Sequence, residues 1–132
     1  MPIDFSFSQE VEDARLMMRG FLQDTVKPAF AALQADKDAQ RADWSALVKS
    51  LRQKAKAQGF WLPHMPQDVG GMGLGVTALA AVSAEAAKIP MGPYIINAQA
   101  PDEGNMHTLY HFATDYQREH FLKPLLEGTA RS

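Results

Sequence analysis

Residues that favour helix dominate this sequence, and the apolar ones recur at helical rather than strand spacing. Ala, Leu and Met together number 39, whereas the β-branched residues Val, Ile and Thr number 15. Because β-branched side chains suit strands and crowd a helix, this ratio favours an all-α fold. With 132 residues the chain can bury a core as one domain. We therefore predict an all-α bundle of about six helices.

Caps and apolar spacing delimit the first helices. The first is predicted to begin after Ser8, and Pro28 should kink it or restart it as a short second helix. Asp43 is predicted to cap the third helix, which Gly59 should end in the left-handed conformation. The predicted core consists of apolar residues at helical spacing: Val11, Met18, Phe21, Leu22, Trp44, Leu47, Val48, Leu51, Leu79, Val82 and Leu109.

Prolines and glycines divide the second half of the chain. Residues 60–75 contain two prolines and four glycines and are predicted to be an irregular connection before a helix from about Val76 to Lys88. Pro101 is expected to interrupt and bend a fifth helix, because it lacks an amide donor. Thr114 and Gln117 form a capping box for the last helix.

Composition and charge disfavour several classes of function. Thirteen Lys and Arg against fifteen Asp and Glu give a net charge of −2, which argues against a nucleic-acid-binding surface. The absence of cysteine excludes disulfides, thiol chemistry and Cys-based zinc sites. No apolar run approaches the roughly 18 residues of a membrane span, and the first residues do not resemble a signal peptide. We expect a cytoplasmic protein without a membrane span.

The histidines and the glycine run, which are the candidates for chemistry, have ordinary structural interpretations. His107 and His111 stand one turn apart, with Glu103 one turn earlier, but a third histidine, His120, lies in another helix. We favour packing or surface histidines over a metal site. The glycines of residues 70–75 match neither GxGxxG nor a P-loop, and we interpret them as a flexible connection rather than a phosphate cradle. We predict neither a metal site nor a catalytic residue in this chain.

Basic side chains line one side of the third helix, and adjacent carboxylates begin a later one. We expect the basic face to be solvated, with a binding patch as the less favoured alternative. Asp102 and Glu103 are neighbours in sequence and point to different faces of a helix, so they are not a general acid–base pair. The basic side chains are Lys49, Arg52, Lys54 and Lys56.

Three runs of residues resemble the acyl-CoA dehydrogenase family. The first lies at the glycine-rich connection. The second lies near the end of the chain, where the family's first domain leads into the next. The third is similar to a narrower branch that includes family members ten and eleven. The runs are Leu62-Pro63 with Gly70-Gly71-Met72-Gly73-Leu74, then Gln117 with Phe121-Leu122, Pro124-Leu125-Leu126 and Gly128, and, for the branch, Ala100-Pro101-Asp102-Glu103-Gly104-Asn105-Met106.

The resemblance covers residues 1–132 but only the N-terminal helical domain of a three-domain family. It implies a parent enzyme that uses FAD to dehydrogenate an acyl-CoA at the α,β positions in fatty acid metabolism, and that forms a homo-oligomer. In the family the flavin site and the catalytic Glu lie in the later domains. We therefore expect this chain alone to bind no FAD, to be inactive, and to self-associate through bare apolar surface that includes the loop from Trp61 to Leu74.

The resemblance also implies an acyl pocket lined by Gln99, Ala100, Glu103 and Gly104 on the fifth helix. Ala100 and Gly104 are small and would lie one turn apart, leaving a groove for an acyl chain. Close packing between helices is the alternative explanation of these small residues. A different class of function also stays open, namely a free-standing helical module that binds a partner or an acyl group without catalysis.

Overall fold

The structure, a computed structural model, describes residues 3–132. Within that range it contains helices and connecting segments and no strand, which confirms the predicted all-α fold. Joined end to end where a π-helical turn links them, the helices form six stretches. Two of these stretches join α1 with α2 and α7 with α8. The individual helices are α1 (Gln9–Gly20), α2 (Lys27–Ala35), α3 (Arg41–Ala57), α4 (Val76–Ala87), α5 (Gly92–Ile95), α6 (Asp102–Phe112), α7 (Asp115–Gln117) and α8 (Lys123–Glu127).

The first helical stretch is continuous from α1 into α2. Ser8 caps it as predicted, because its hydroxyl accepts from the backbone N–H of Val11 at 3.4 Å. A π-helical turn, Phe21–Val26, joins the two helices, and the N–H of Lys27 bonds to the carbonyl of Leu22, five residues back. Pro28 therefore restarts the helix without breaking it, since the wider turn relieves the clash that a proline causes in a regular helix.

The start of α3 differs from the prediction. Gln40, and not Asp43, is the N-cap; Asp43 is the third residue of the helix, and its carboxylate accepts from the N–H of Gln40 at 2.8 Å. The two residues form a capping box in which the acidic member lies inside the helix. Gly59 ends the helix with a φ of 79°, as predicted.

Pro101 does not bend a helix. The chain leaves α5 at Asn97, whose φ of 56° is incompatible with a continuing right-handed helix, and Pro101 directly precedes α6. The prediction that Pro101 bends a helix was wrong for that reason, whereas the predicted interruption is present, because a new helix begins at Asp102 directly after Pro101. The capping box of the last helical stretch is confirmed: the Thr114 N–H donates to the Gln117 side chain at 2.8 Å, and the Gln117 N–H donates to the Thr114 hydroxyl at 3.3 Å.

The core extends beyond the residues that helical spacing identified. Five predicted core residues, Met18, Phe21, Leu22, Leu51 and Val82, are buried, and the other six are half-buried. Many of the remaining buried apolar side chains come from the irregular connection and from the helices after it. These include Phe60, Trp61, Leu62, Met65, Ile95, Ile96, Met106, Leu122 and Leu125.

The connection between α3 and α4 is irregular, as predicted, but its first half is buried. Residues 61–65 are all buried, and a short 3-10 turn, Gln67–Val69, follows. Gly71 lies so close to the preceding segment that a Cβ there would be 2.0 Å from the carbonyl oxygen of Met65. The stretch from Trp61 to Met65 is therefore part of this domain's own core, which corrects the expectation that it is bare.

Arg52 is buried, although its basic face was expected to be solvated. Its guanidinium lies 4.8 Å from the centre of the Trp61 ring and 4.3 Å from that of Tyr94. It donates to the carbonyl oxygen of Tyr94, to Asn97 Oδ1 at 3.3 Å and to the carbonyl oxygen of Gly128 at 3.4 Å. Arg52 thus holds the chain after α8 against α3 and α5. None of the helices in residues 3–132 combines the length and the apolarity of a transmembrane segment.

Candidate substrate-binding site

The four predicted pocket residues do not share one helical face. Gln99 and Ala100 lie in the connection between α5 and α6, whereas Glu103 and Gly104 lie in the first turn of α6. The backbone still brings the two pairs together, because the N–H of Glu103 donates to the carbonyl of Gln99 at 3.0 Å. Ala100 and Gly104 are exposed, and Gln99 and Glu103 are half-buried.

Gly104 faces open space. A Cβ at this position would have no atom of another element within 4 Å. Close packing between helices, the alternative explanation of the small residue, therefore does not account for Gly104 in this domain. The first turn of α6 presents an unobstructed strip of backbone against which a ligand can lie.

A cavity of about 420 Å³ lies beside this strip, between α6, α8 and the last residues of the chain. Thr108 connects the two, because its hydroxyl donates to the carbonyl of Gly104 at 3.1 Å and its side chain lines the cavity. Sequence reasoning missed this wall, although Asn105 and Thr108 are three residues apart, a spacing that places two helical residues on one side. None of the four predicted pocket residues lines this cavity. The lining is mainly apolar: Asn105, Thr108, Leu109, His120, Phe121, Pro124, Leu125, Ala130, Arg131 and Ser132.

Asp102 fixes one edge of this cavity. Its buried carboxylate accepts from the N–H of Ser132 at 2.8 Å, from the Ser132 hydroxyl at 2.7 Å and from Nε of Arg131 at 3.3 Å. Burial alone would raise the pKa of Asp102, but these hydrogen bonds outweigh it, so the pKa lies below its ordinary value. With its amide oxygen turned toward Arg131, Gln99 accepts from Nη1 at 3.3 Å. Asp102 is thus a structural anchor rather than a proton donor.

The histidines do not assemble a metal site. His120 contacts the carbonyl of Tyr116 through Nδ1 at 2.8 Å, and His107 meets the buried His64 edge to face, with ring centroids 5.4 Å apart. His111 is exposed. In the part of the chain that the structure describes, no three His, Asp or Glu side chains are grouped to hold a metal ion.

The glycine-rich connection uses its amides internally. The N–H groups of Gly71, Met72 and Gly73 donate to the carbonyls of Pro66, Leu62 and Met65 at 2.9, 3.1 and 3.0 Å. Because these donors are already engaged, the loop does not form a phosphate cradle. This geometry agrees with the prediction that the run is a connection.

The fold and the open strip on α6 define a helical domain that can form one wall of a ligand pocket. Residues 8–129 match the sequence profile of the acyl-CoA dehydrogenase, N-terminal domain. The chain belongs to the acyl-CoA dehydrogenase family, as its N-terminal helical domain.

Relatives and a solved structure agree with this membership. The "Probable acyl-CoA dehydrogenase FadE2" of Mycobacterium tuberculosis is 34% identical over 98% of this chain and 32% of its own length. "Acyl-CoA dehydrogenase family member 10" of Mus musculus is 34% identical over 85% of the chain and 11% of its own length. A putative acyl-CoA dehydrogenase from Mycobacterium abscessus superposes with a TM-score of 0.82 at 28% identity, over 96% of this chain and 34% of that one. The chain thus spans about a third or less of the length of these relatives.

Proposed function

We propose that this chain lines the acyl pocket of a flavin-dependent acyl-CoA dehydrogenase, which removes hydrogen from the α,β positions of an acyl-CoA thioester. One observation carries the proposal: Gly104 faces open space at the first turn of α6, and Thr108, which donates to the Gly104 carbonyl, lines a mainly apolar cavity. An acyl chain laid along this strip would bury its methylenes, each worth about 0.8 kcal/mol. Membership of the family supports acyl-CoA as the ligand.

In this proposal the residues of the chain bind and orient the substrate. Gln99, Ala100, Glu103 and Gly104 contact the acyl chain, and Thr108 extends the same wall toward the cavity. Glu103 shapes the pocket and is not proposed as the base that removes the α-proton. Cytoplasmic location and a homo-oligomeric parent also stay predictions.

A bound flavin would accept the hydride from the substrate. The glycine-rich connection does not fit the diphosphate of a dinucleotide, since the amides of Gly71, Met72 and Gly73 are engaged with backbone carbonyls. The rest of a longer protein would hold the flavin.

Activity of the longer protein tests the proposal. The full-length protein should oxidise acyl-CoA thioesters with an artificial electron acceptor, and this chain alone should not. Calorimetry of the isolated chain with the same thioesters distinguishes the alternative module. Binding to the chain without turnover by the full-length protein would favour an acyl-binding module. The absence of both binding and turnover would overturn the proposal.

A further inference from the structure

A second, larger concavity lies on another part of the surface. It has a volume of about 1020 Å³ and lies between α2, α3, the turn before α5 and the chain after α8. It shares no lining residue with the cavity beside α6. We call it the α3 groove, because one side of α3 forms its floor from Arg41 through Val48 to Lys56.

Aromatic side chains form two walls of the α3 groove. On one wall Phe30 and Trp44 stack, with ring centroids 6.1 Å apart and ring planes 19° apart. On the other, Trp61 and Tyr94 flank the guanidinium of Arg52. Lys56 Nζ also lies 4.5 Å from the centre of the Trp61 ring, so cations cover this second wall. The stacked rings of Phe30 and Trp44 are therefore the apolar surface that the groove offers to a ligand.

The charges of the α3 groove are predominantly positive. Four cationic side chains line it, Arg41, Lys49, Arg52 and Lys56, against a single carboxylate, that of Glu127. No carboxylate lies within 4.0 Å of any of the four cations among residues 3–132.

Arg52 and Lys56 donate only to neutral oxygens. Arg52 bonds to the Asn97 amide oxygen and to backbone carbonyls, and Lys56 bonds to the carbonyl of Glu127. Burial lowers the pKa of both Arg52 and Lys56. Lys56 is exposed, whereas Arg52 is buried without a carboxylate partner, and an anion placed in the groove would compensate that buried charge.

We propose that the α3 groove binds an anionic amphiphile, a molecule with an apolar tail and a carboxylate or phosphate head. The head lies near Lys49 and Lys56, and the tail lies against the stacked rings of Phe30 and Trp44 and against Val48. The volume of the groove is in the range of small-molecule sites. A neutral or cationic amphiphile of the same length makes the same apolar contacts and lacks the charge interaction, so the groove selects by the sign of the head.

The protein's own fluorescence reports on this site. Its two tryptophans, Trp44 and Trp61, both line the groove. Decanoate, decyl phosphate and decyltrimethylammonium are titrated into the chain at low salt, below the concentrations at which they form micelles. Decanoate, decyl phosphate or both should change the tryptophan fluorescence in a saturable way. The dissociation constant of decyltrimethylammonium should be at least tenfold higher. Binding of one anion only would identify the head group.

Two variants with a matched control assign the effect to the groove. Lys49→Gln combined with Lys56→Gln should weaken binding of the anion about tenfold, because each partly exposed charge contributes modestly. Lys54→Gln removes the same charge from α3 at a position outside the groove and should leave the affinity unchanged. Lys49 is exposed, so Lys49→Gln alone preserves the fold if the double variant does not.

Three results would overturn the proposal. They are equal affinity for the anions and the cation, equal loss of affinity in Lys54→Gln and in the groove variants, and no saturable change with any amphiphile. Raising the salt concentration should weaken binding of the anions and not that of an uncharged amphiphile such as octyl glucoside. An affinity for the anions that does not change with salt concentration would also contradict the proposal.

Discussion

The carboxylate of Glu85, buried on α4, accepts a hydrogen bond of 2.7 Å from Nη2 of Arg19 on α1. Arg15 on α1 donates to the same carboxylate at 3.0 Å, and Lys88 donates to it at 2.9 Å. One buried negative charge therefore holds three cations where α1 and α4 pack together. The packing of these two helices depends on that charge as well as on apolar contact.

Removing the charge should destabilise the domain. We expect Glu85→Gln to lower the free energy of unfolding by about 2 kcal/mol, because charge-assisted hydrogen bonds to a buried carboxylate are lost. Glu119→Gln is the control: it disrupts an ion pair with Lys123 in which both side chains are exposed, and its effect should be much smaller. Denaturant titration of the two variants measures the difference. Equal effects would contradict a structural role for the cluster.

The same carboxylate predicts a dependence of stability on acid. Hydrogen bonding from Arg19, opposed by burial and reinforced by Lys88 and Arg15, lowers the pKa of Glu85 from 4.5 to about 2. Since the folded state has the lower pKa, the stabilisation is complete above the unfolded value and is lost as pH falls from about 4.5 toward 2. The gap in unfolding free energy between wild type and Glu85→Gln should narrow over that interval. A constant gap would refute the assignment.

Two glycine-to-alanine changes should have opposite effects. Gly71→Ala places a Cβ 2.0 Å from the carbonyl of Met65 and should destabilise the domain by about 2 kcal/mol or more. Gly104→Ala meets nothing and should stabilise α6 by about 0.5–1 kcal/mol, because glycine is unfavourable within a helix. Thermal unfolding of both variants measures this. Destabilisation by Gly104→Ala would show that the first turn of α6 is packed.

Self-association should involve exposed aromatic rings at the end of α6 and in the stretch after it, rather than the loop from Trp61 to Leu74. Phe112 is 83% exposed, and the exposed rings of Tyr116 and Phe121 meet edge to face at 6.3 Å. Unpaired apolar surface of this kind promotes association. Phe112→Ser together with Phe121→Ser should lower the weight-average mass seen by sedimentation at high concentration. A wild-type chain that stays monomeric throughout would contradict this.

Local signals in the sequence predicted the helices well, and the misses have physical causes. Ser8 and the box of Thr114 and Gln117 are short-range patterns, and both appear as expected. Asp43 was assigned as an N-cap because acidic residues are preferred there, but in a capping box a carboxylate also fits three residues into the helix. Asn97 turns the chain with a positive φ that composition does not reveal, so the end of α5 before Pro101 could not be predicted.

Tertiary contacts account for what periodicity could not predict. Trp61 belongs to an irregular segment, and its indole N–H donates to the carbonyl of Leu126, 65 residues later. Arg52 carries a charge that usually indicates solvent, yet its long side chain reaches Asn97 and Gly128 across the domain. Gly104 is small and exposed, and its place in an acyl pocket stays a prediction. The cavity lined by Thr108 could not be predicted from the sequence, because α8 and the last residues of the chain form its other sides.

The most direct test of the acyl-pocket proposal is Gly104→Leu in the full-length enzyme. The leucine projects about four heavy atoms into the open strip, and each excluded methylene of substrate is worth about 0.8 kcal/mol. We predict that kcat/KM falls by about two orders of magnitude for long-chain acyl-CoA while short chains are little affected and the melting temperature is nearly unchanged. Gly104→Ala, the matched control, should shift the chain-length preference slightly. An equal loss of kcat/KM at every chain length would contradict the assignment of the pocket to this face of α6.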